Sequence, residues 1–188
     1  MLILLCKNLT RAALFIGMLL LVANPSQSNP IRQKLLVDGF PVPKVTNLMY
    51  LQRDPNTNTI IYELNVKNNK LDADNPIHVF WIKFAEKSQH EELTFVQRKF
   101  AYGINTKRLA EDEYEMHIVS YKKCALRLMR GADNEFHVYA TINGKTAVLK
   151  RIFIRIKGGS LFFPNVQYIE LSGTDVATGL AESQQFKP

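Results

Sequence analysis

The sequence predicts an all-β domain, an antiparallel barrel-like or sandwich sheet of about eight strands with one short helix. Three observations carry that expectation. Runs of β-branched and aromatic residues alternate with polar ones, turn residues interrupt them at close intervals, and no strand–helix–strand rhythm appears in the 188 residues. Long strands joined mainly by tight turns favour the barrel-like form.

The N-terminus carries a separate message. Lys7 and Arg11 lead into the apolar run Ala12–Ala23, Pro25 ends it, and Ser26 and Ser28 supply small side chains. That layout reads as a secretory signal over residues 1–28. Its apolar run is short for a bilayer, so the mature chain is expected to have no integral membrane span. The protein is therefore expected to be exported, to the periplasm or the extracellular space.

Cutting 28 residues from 188 leaves 160, enough for one domain with its own core. Losing Lys7 and Arg11 from a formal +7 leaves +5, spread along the chain rather than massed. This distribution argues against a nucleic-acid partner. Cys124 is then the remaining cysteine, so no internal disulfide is available and the core must hold the fold.

Residues 29–44, with Pro30, Pro41 and Pro43, read as an extended lead-in to a single domain over 45–173. Strand composition marks 45–53 and 58–66, joined by turn residues Asp54 to Thr57. A polar loop, 67–76, precedes a strand at 77–85, and a further loop runs to Glu92. Thr94 to Tyr102 is the one helix expected: Thr94 and Gln97 form a capping box, and Gly103 stops it. Val96 and Phe100 share a side at helical spacing, so that side is expected to pack inward.

Strands follow at 113–120, 122–130 and 135–142, each alternating apolar with polar residues. Asn143-Gly144 calls for a type I′ hairpin into a long strand, 145–157. Gly158-Gly159-Ser160 ends that strand, and 166–172 is the last. The polar stretch 174–188 reads as a loose tail.

Candidate chemistry is sparse. In the strand from Ile77, His78, Phe80, Ile82 and Phe84 share one face, and Ile77, Val79, Trp81 and Lys83 the other. Lys83 beside Trp81 suits an anionic ligand, and Tyr102 at the helix end lies near them in sequence. Glu63, Arg127 and Tyr139 would join if the sheet curls around a cavity. Arg151 and Arg155 share the alternation of Leu149 and Phe153, and such Arg-plus-aromatic sets recognise carboxylates or phosphates. The four histidines show no metal-ligand spacing, so neither metal nor cofactor is expected. Cys124, in register with Leu126 and Leu128, reads as a small buried hydrophobe.

Four segments carry a family likeness: LMYLQRDPNTNTIIYELN from Leu48, NPIHVFWIKFA from Asn75, LTFVQRKFAYGI from Leu93, and PNVQYIELSG from Pro164. Together they resemble the bacterial family known as domain of unknown function 4833. The resemblance implies an exported β-rich domain and supplies no activity or catalytic residue.

Three functions fit these readings. The first is an exported protein binding a small anionic or amphipathic molecule near Trp81, Lys83 and Tyr102, with a cavity beneath Trp81. The second is a non-catalytic interaction module of the cell envelope. The third, an enzyme, has no catalytic motif and requires Glu63, Lys83, Tyr102 and His137 to converge.

Overall fold

The structure, a computed structural model, describes residues 36–44, 48–68, 70–160 and 164–188. The expected signal segment lies outside the described residues. In chain order the strands begin with β1 (Leu36–Val37), β2 (Phe40–Pro41), β3 (Met49–Arg53), β4 (Asn56–Leu64), β5 (Val66–Lys67) and β6 (Lys70–Leu71). Next come β7 (Ile77–Lys83), β8 (Gln89–Glu92), helix α1 (Phe95–Phe100), β9 (Ile104–Ala110) and β10 (Glu113–Ile118). The last are β11 (Tyr121–Arg130), β12 (Phe136–Ile142), β13 (Lys145–Gly159), β14 (Pro164–Asp175) and β15 (Ala181–Phe186).

Strand β13 is the seam of the fold. One of its edges pairs with β14 along almost its whole length. Its other edge changes partner midway, pairing antiparallel with β12 up to Val148 and parallel with β3 from Arg151 to Ile154. The main sheet therefore runs β8-β7-β4-β3-β13-β12-β11-β10-β9, with β14 and then β15 added on the other edge of β13. Strands β8 and β9 end the path and do not pair with each other, so the sheet does not close into a barrel. The sandwich-like alternative is the form adopted.

Both wings of this sheet feed one core. Met49, Ile60, Tyr62, Val79 and Trp81 come from the β3–β8 wing; Tyr114, Met116, Leu128 and Val138 come from the β9–β12 wing. Leu149, Ile152, Ile169 and Leu171 on β13 and β14 tie the two together. Each such fully buried large side chain contributes about 2 kcal/mol of transfer free energy. Ile61, Phe80 and Ile82 form a second, smaller cluster on the outer face of the first wing. β7 thus has apolar residues on both faces, as its alternation requires.

A β-bulge at Lys150 sets which β13 side chains face the core. The register steps from Leu149↔Gly173 to Arg151↔Ser172, leaving Lys150 without an opposite number. One inserted residue reverses the alternation. Ala147 and Leu149 face the core before the bulge, and Ile152 and Ile154 after it. Simple alternation put Leu149 on the face of Arg151, Phe153 and Arg155. That expectation is corrected: Leu149 is a core residue, whereas those three lie on the outer face.

Other expectations also change. The described part of the lead-in, residues 36–44, holds a hairpin, β1–β2, turned at Asp38 and Gly39 with φ of 51° and 82°; residues 29–35 lie outside the described residues. Its Phe40 packs edge-on to Phe153 at 5.0 Å, so it covers part of the outer face. The loop expected before Glu92 contains β8, which pairs with β7. The tail expected to be loose instead continues β14 and adds β15 to its edge over six register pairs. Backbone pairing along an available edge orders a polar segment that has little apolar pattern of its own.

Helix α1 has the expected capping box, with Thr94 Oγ1 accepting from Gln97 N–H and Gln97 Oε1 accepting from Thr94 N–H. It is shorter than expected, with Ala101 as its C-cap. Its orientation is reversed from the expectation, since Val96 and Phe100 are exposed rather than packed inward. The flanking residues explain this. Leu93 is buried just before the helix, and Tyr102 just after it packs edge-on to Trp81 at 5.0 Å. Those two anchors leave the intervening turn facing away from the core.

Candidate functional site

The outer face of the first wing carries a polar network centred on Arg151. The bulge at Lys150 turns this arginine away from the core, yet its neighbours leave it only 3% exposed. Its Nε–H donates to Gln52 Oε1 at 2.9 Å, and its NH1 donates to Asp38 Oδ2 at 2.8 Å. Glu170 Oε1 stands 3.7 Å from the same NH1. The remaining nitrogen, NH2, is buried and has no hydrogen-bond partner among the described residues. A buried guanidinium nitrogen left unpaired is costly and therefore uncommon.

Gln52 completes the support. Its Nε2 donates to the Pro41 carbonyl at 2.7 Å and to Thr59 Oγ1 at 3.0 Å. The amide thus joins β3, β4, β13 and the lead-in hairpin at one point. Arg151 also sits over Phe153, 4.7 Å from the ring centroid, and Arg155 lies 5.0 Å from that ring. Arg155 is held in turn by Asp54 and by the Tyr168 hydroxyl.

Beside this network lies an open cleft of about 350 Å³, lined by Asp38, Tyr50, Lys150, Arg151, Glu170 and Ser172 with neighbouring residues of β14 and β15. Burial pushes the Tyr50 hydroxyl above its ordinary pKa, partly offset by the positive charge of Arg151. Tyr50 therefore enters the cleft as a neutral donor. The cleft presents two cations, Arg151 and Lys150, two carboxylates, Asp38 and Glu170, and several hydroxyls, a donor and acceptor set of the kind that holds a small polar molecule.

The remaining sequence candidates are dispersed. Trp81 is 5% exposed among core side chains, with its Nε1–H directed to Gln97 Oε1 at 3.4 Å. Lys83 lies 5.8 Å from the Trp81 ring but is occupied by Glu91 at 3.4 Å and Glu86 at 3.8 Å. Tyr102 is raised above its usual pKa by burial, and its carbonyl accepts from the Tyr62 hydroxyl. This is packed core rather than a cleft wall. A small core-lined cavity of about 30 Å³ lies elsewhere, against Leu51, Cys124 and Phe186.

Glu63 pairs with His78 Nδ1 at 2.9 Å, and His78 Nε2 meets Glu92 at 2.9 Å, on the outer face near Phe80. Arg127 and Tyr139 are register partners on the second wing and share an open groove of about 280 Å³ with Glu115 and Thr146. His137 pairs with Asp133. Glu63, Lys83, Tyr102 and His137 therefore do not converge. Among the described residues no group of three or more His, Cys, Asp or Glu is placed to hold a metal.

Asp38, Tyr50, Gln52 and Glu170 were not legible as site residues. Each is an ordinary polar residue in its own segment and acquires its place only through β13. The Arg–Phe–Arg spacing was the one signal pointing here.

Fold and site together define a sandwich-like all-β domain with a buried arginine beside an open polar cleft. The family model described as "Domain of unknown function (DUF4833)" matches residues 49–184, most of the chain, and the protein belongs to that family. No curated protein and no solved structure matches it. No helix among the described residues is long and apolar enough to cross a membrane.

Proposed function

We propose that the domain is an exported binding protein that takes a small anionic ligand, a carboxylate or phosphate, at Arg151. Export is supported by the N-terminal pattern of basic residues, short apolar run and small residues. The observation that carries the binding reading is the buried NH2 of Arg151, without a partner among the described residues, on a side chain that lines a cleft of ligand size. Asp38, on the lead-in hairpin, holds the adjacent NH1 with a side chain that is itself 55% exposed. An incoming anion that displaces Asp38 gains NH1 and NH2 together, the two-pronged geometry by which arginine binds oxyanions.

Native mass spectrometry of the chain taken from producing cells tests retention of a ligand as added mass. Calorimetric titration with inorganic phosphate and with acetate tests the site directly. Asp38→Asn is expected to tighten binding and Arg151→Lys to weaken it, each by about tenfold. Binding that responds to neither substitution overturns the assignment.

A further inference from the structure

We propose that α1 is a contact knob that seats the domain on an anionic lipid surface. The observation is an inversion of helix polarity. A surface helix ordinarily turns its apolar stripe towards the fold. In α1, Phe95, Val96 and Phe100 are 72%, 63% and 64% exposed, and the side chain directed at the core is the polar Gln97, which meets Trp81.

This exposure is built into the fold. The capping box closes the N-terminus of α1, and the Ala101 and Tyr102 amides both donate to the Gln97 carbonyl at its end. Buried Leu93 and the Trp81–Tyr102 contact clamp the flanks. Three large apolar side chains within six residues are thus held outward by a fixed frame. Burying such side chains is favourable by about 2 kcal/mol each, so a water-exposed knob gains from any apolar phase it can enter.

Charge identifies the phase. The first turn of α1 has no acidic residue, and its last turn carries Arg98 and Lys99. Lys99 Nζ lies 5.4 Å from the Phe95 ring and 5.5 Å from the Phe100 ring. The neighbouring glutamates are already engaged, Glu91 by Lys83 and Glu92 by His78 and Arg98. What the knob presents is therefore a pair of phenyl rings under an ammonium.

A bilayer with anionic headgroups matches both parts. Rings settle at the boundary between headgroups and acyl chains, while a lysine extends its amine to the phosphates. A stable protein interface needs roughly 800 Å² from each partner, which three side chains on two helical turns do not supply. The expected attachment is weak and reversible. It is independent of the Arg151 cleft.

The test uses the chain purified from producing cells, with its N-terminus read by mass spectrometry. It is sedimented with vesicles of phosphatidylcholine alone or mixed with phosphatidylglycerol. Wild type is expected to bind the anionic vesicles, and Phe95→Ser/Phe100→Ser to lose about tenfold in bound fraction. Lys99→Glu is expected to lose the preference for anionic over neutral vesicles. These side chains are exposed, so thermal unfolding should move little. Val96→Trp adds an indole reporter whose emission shifts to the blue on insertion. Absent binding by wild type, unchanged binding by the double variant, or unchanged emission from Val96→Trp on adding anionic vesicles overturns the proposal. So does self-association that depends on Phe95 and Phe100 without vesicle binding.

Discussion

Arg151 and Gln52 stand ninety-nine positions apart, and the Arg151 Nε–H donates to Gln52 Oε1 at 2.9 Å in the interior of the outer-face network. This bond crosses the parallel β3–β13 contact, where the two wings of the sheet are joined. Gln52 also receives nothing from solvent, being fully buried, and spends its own N–H groups on Pro41 and Thr59.

Gln52→Leu keeps the approximate volume and removes every one of these bonds, leaving Arg151 Nε and the Pro41 carbonyl unpaired. The expected loss is about 2–4 kcal/mol, read from the urea midpoint at constant slope. The same change in an Arg151→Leu background should cost much less, because the stranded charge is gone. A Gln52→Leu variant as stable as wild type would mean that the network does not hold the wings together.

Gly173 faces Leu149 at the seam, and a Cβ placed there would run into the Val148 carbonyl of β13. The obstacle is backbone, which cannot rotate aside. Gly173→Ala is therefore expected to push β14 off β13 and destabilise the domain by roughly 2–3 kcal/mol. Hydrogen exchange should show the loss of protection concentrated at Val148 to Arg151 and Ser172 to Thr174. Uniform or absent loss contradicts a local clash.

One part of the pH response should arise at the start of β13. Lys145 Nζ pairs with Glu182 Oε1 at 2.5 Å and with Asp175 Oδ2 at 3.8 Å. The Ala177 amide and the Thr178 hydroxyl, with Lys145, hold the Asp175 carboxyl below its ordinary pKa of 3.8; the hydrogen bond from Lys145 lowers Glu182 from 4.5. Folded-state values below the unfolded ones give stability that is present above about pH 4 and lost as pH falls through the lowered values. Lys145 is raised from 10.5, chiefly by Glu182, so its contribution is present below that pH and fades as pH rises through the folded value. Asp175→Asn should flatten the acid limb of a stability–pH curve, and Lys145→Met should flatten both limbs. An acid limb unchanged in Asp175→Asn assigns the effect to other carboxylates.

Local signals are legible where the chain alone decides. Asn143 and Gly144 take φ of 51° and 75°, as a type I′ turn demands. Thr94 and Gln97 cap each other, and the alternation from Ile77 to Lys83 separates the two apolar clusters as its period of two requires. Each of these features depends on contacts within a few residues or on a strict period. The all-β class followed from them.

The site and the closure of the sheet were decided by contacts between distant segments. No local pattern marks the bulge at Lys150, and without it Arg151 would share the face of Leu149 in the core. Only the docking of β3 against β13 brings Gln52 to Arg151, and only the lead-in hairpin brings Asp38. Helix α1 shows the same division. Its caps were legible because Thr94 and Gln97 are three residues apart, whereas its outward orientation was set by Leu93 and Tyr102 docking on a core assembled from the whole chain. Backbone geometry propagates over a few residues; strand partners, and therefore the faces of β13, are chosen by burial across the entire domain.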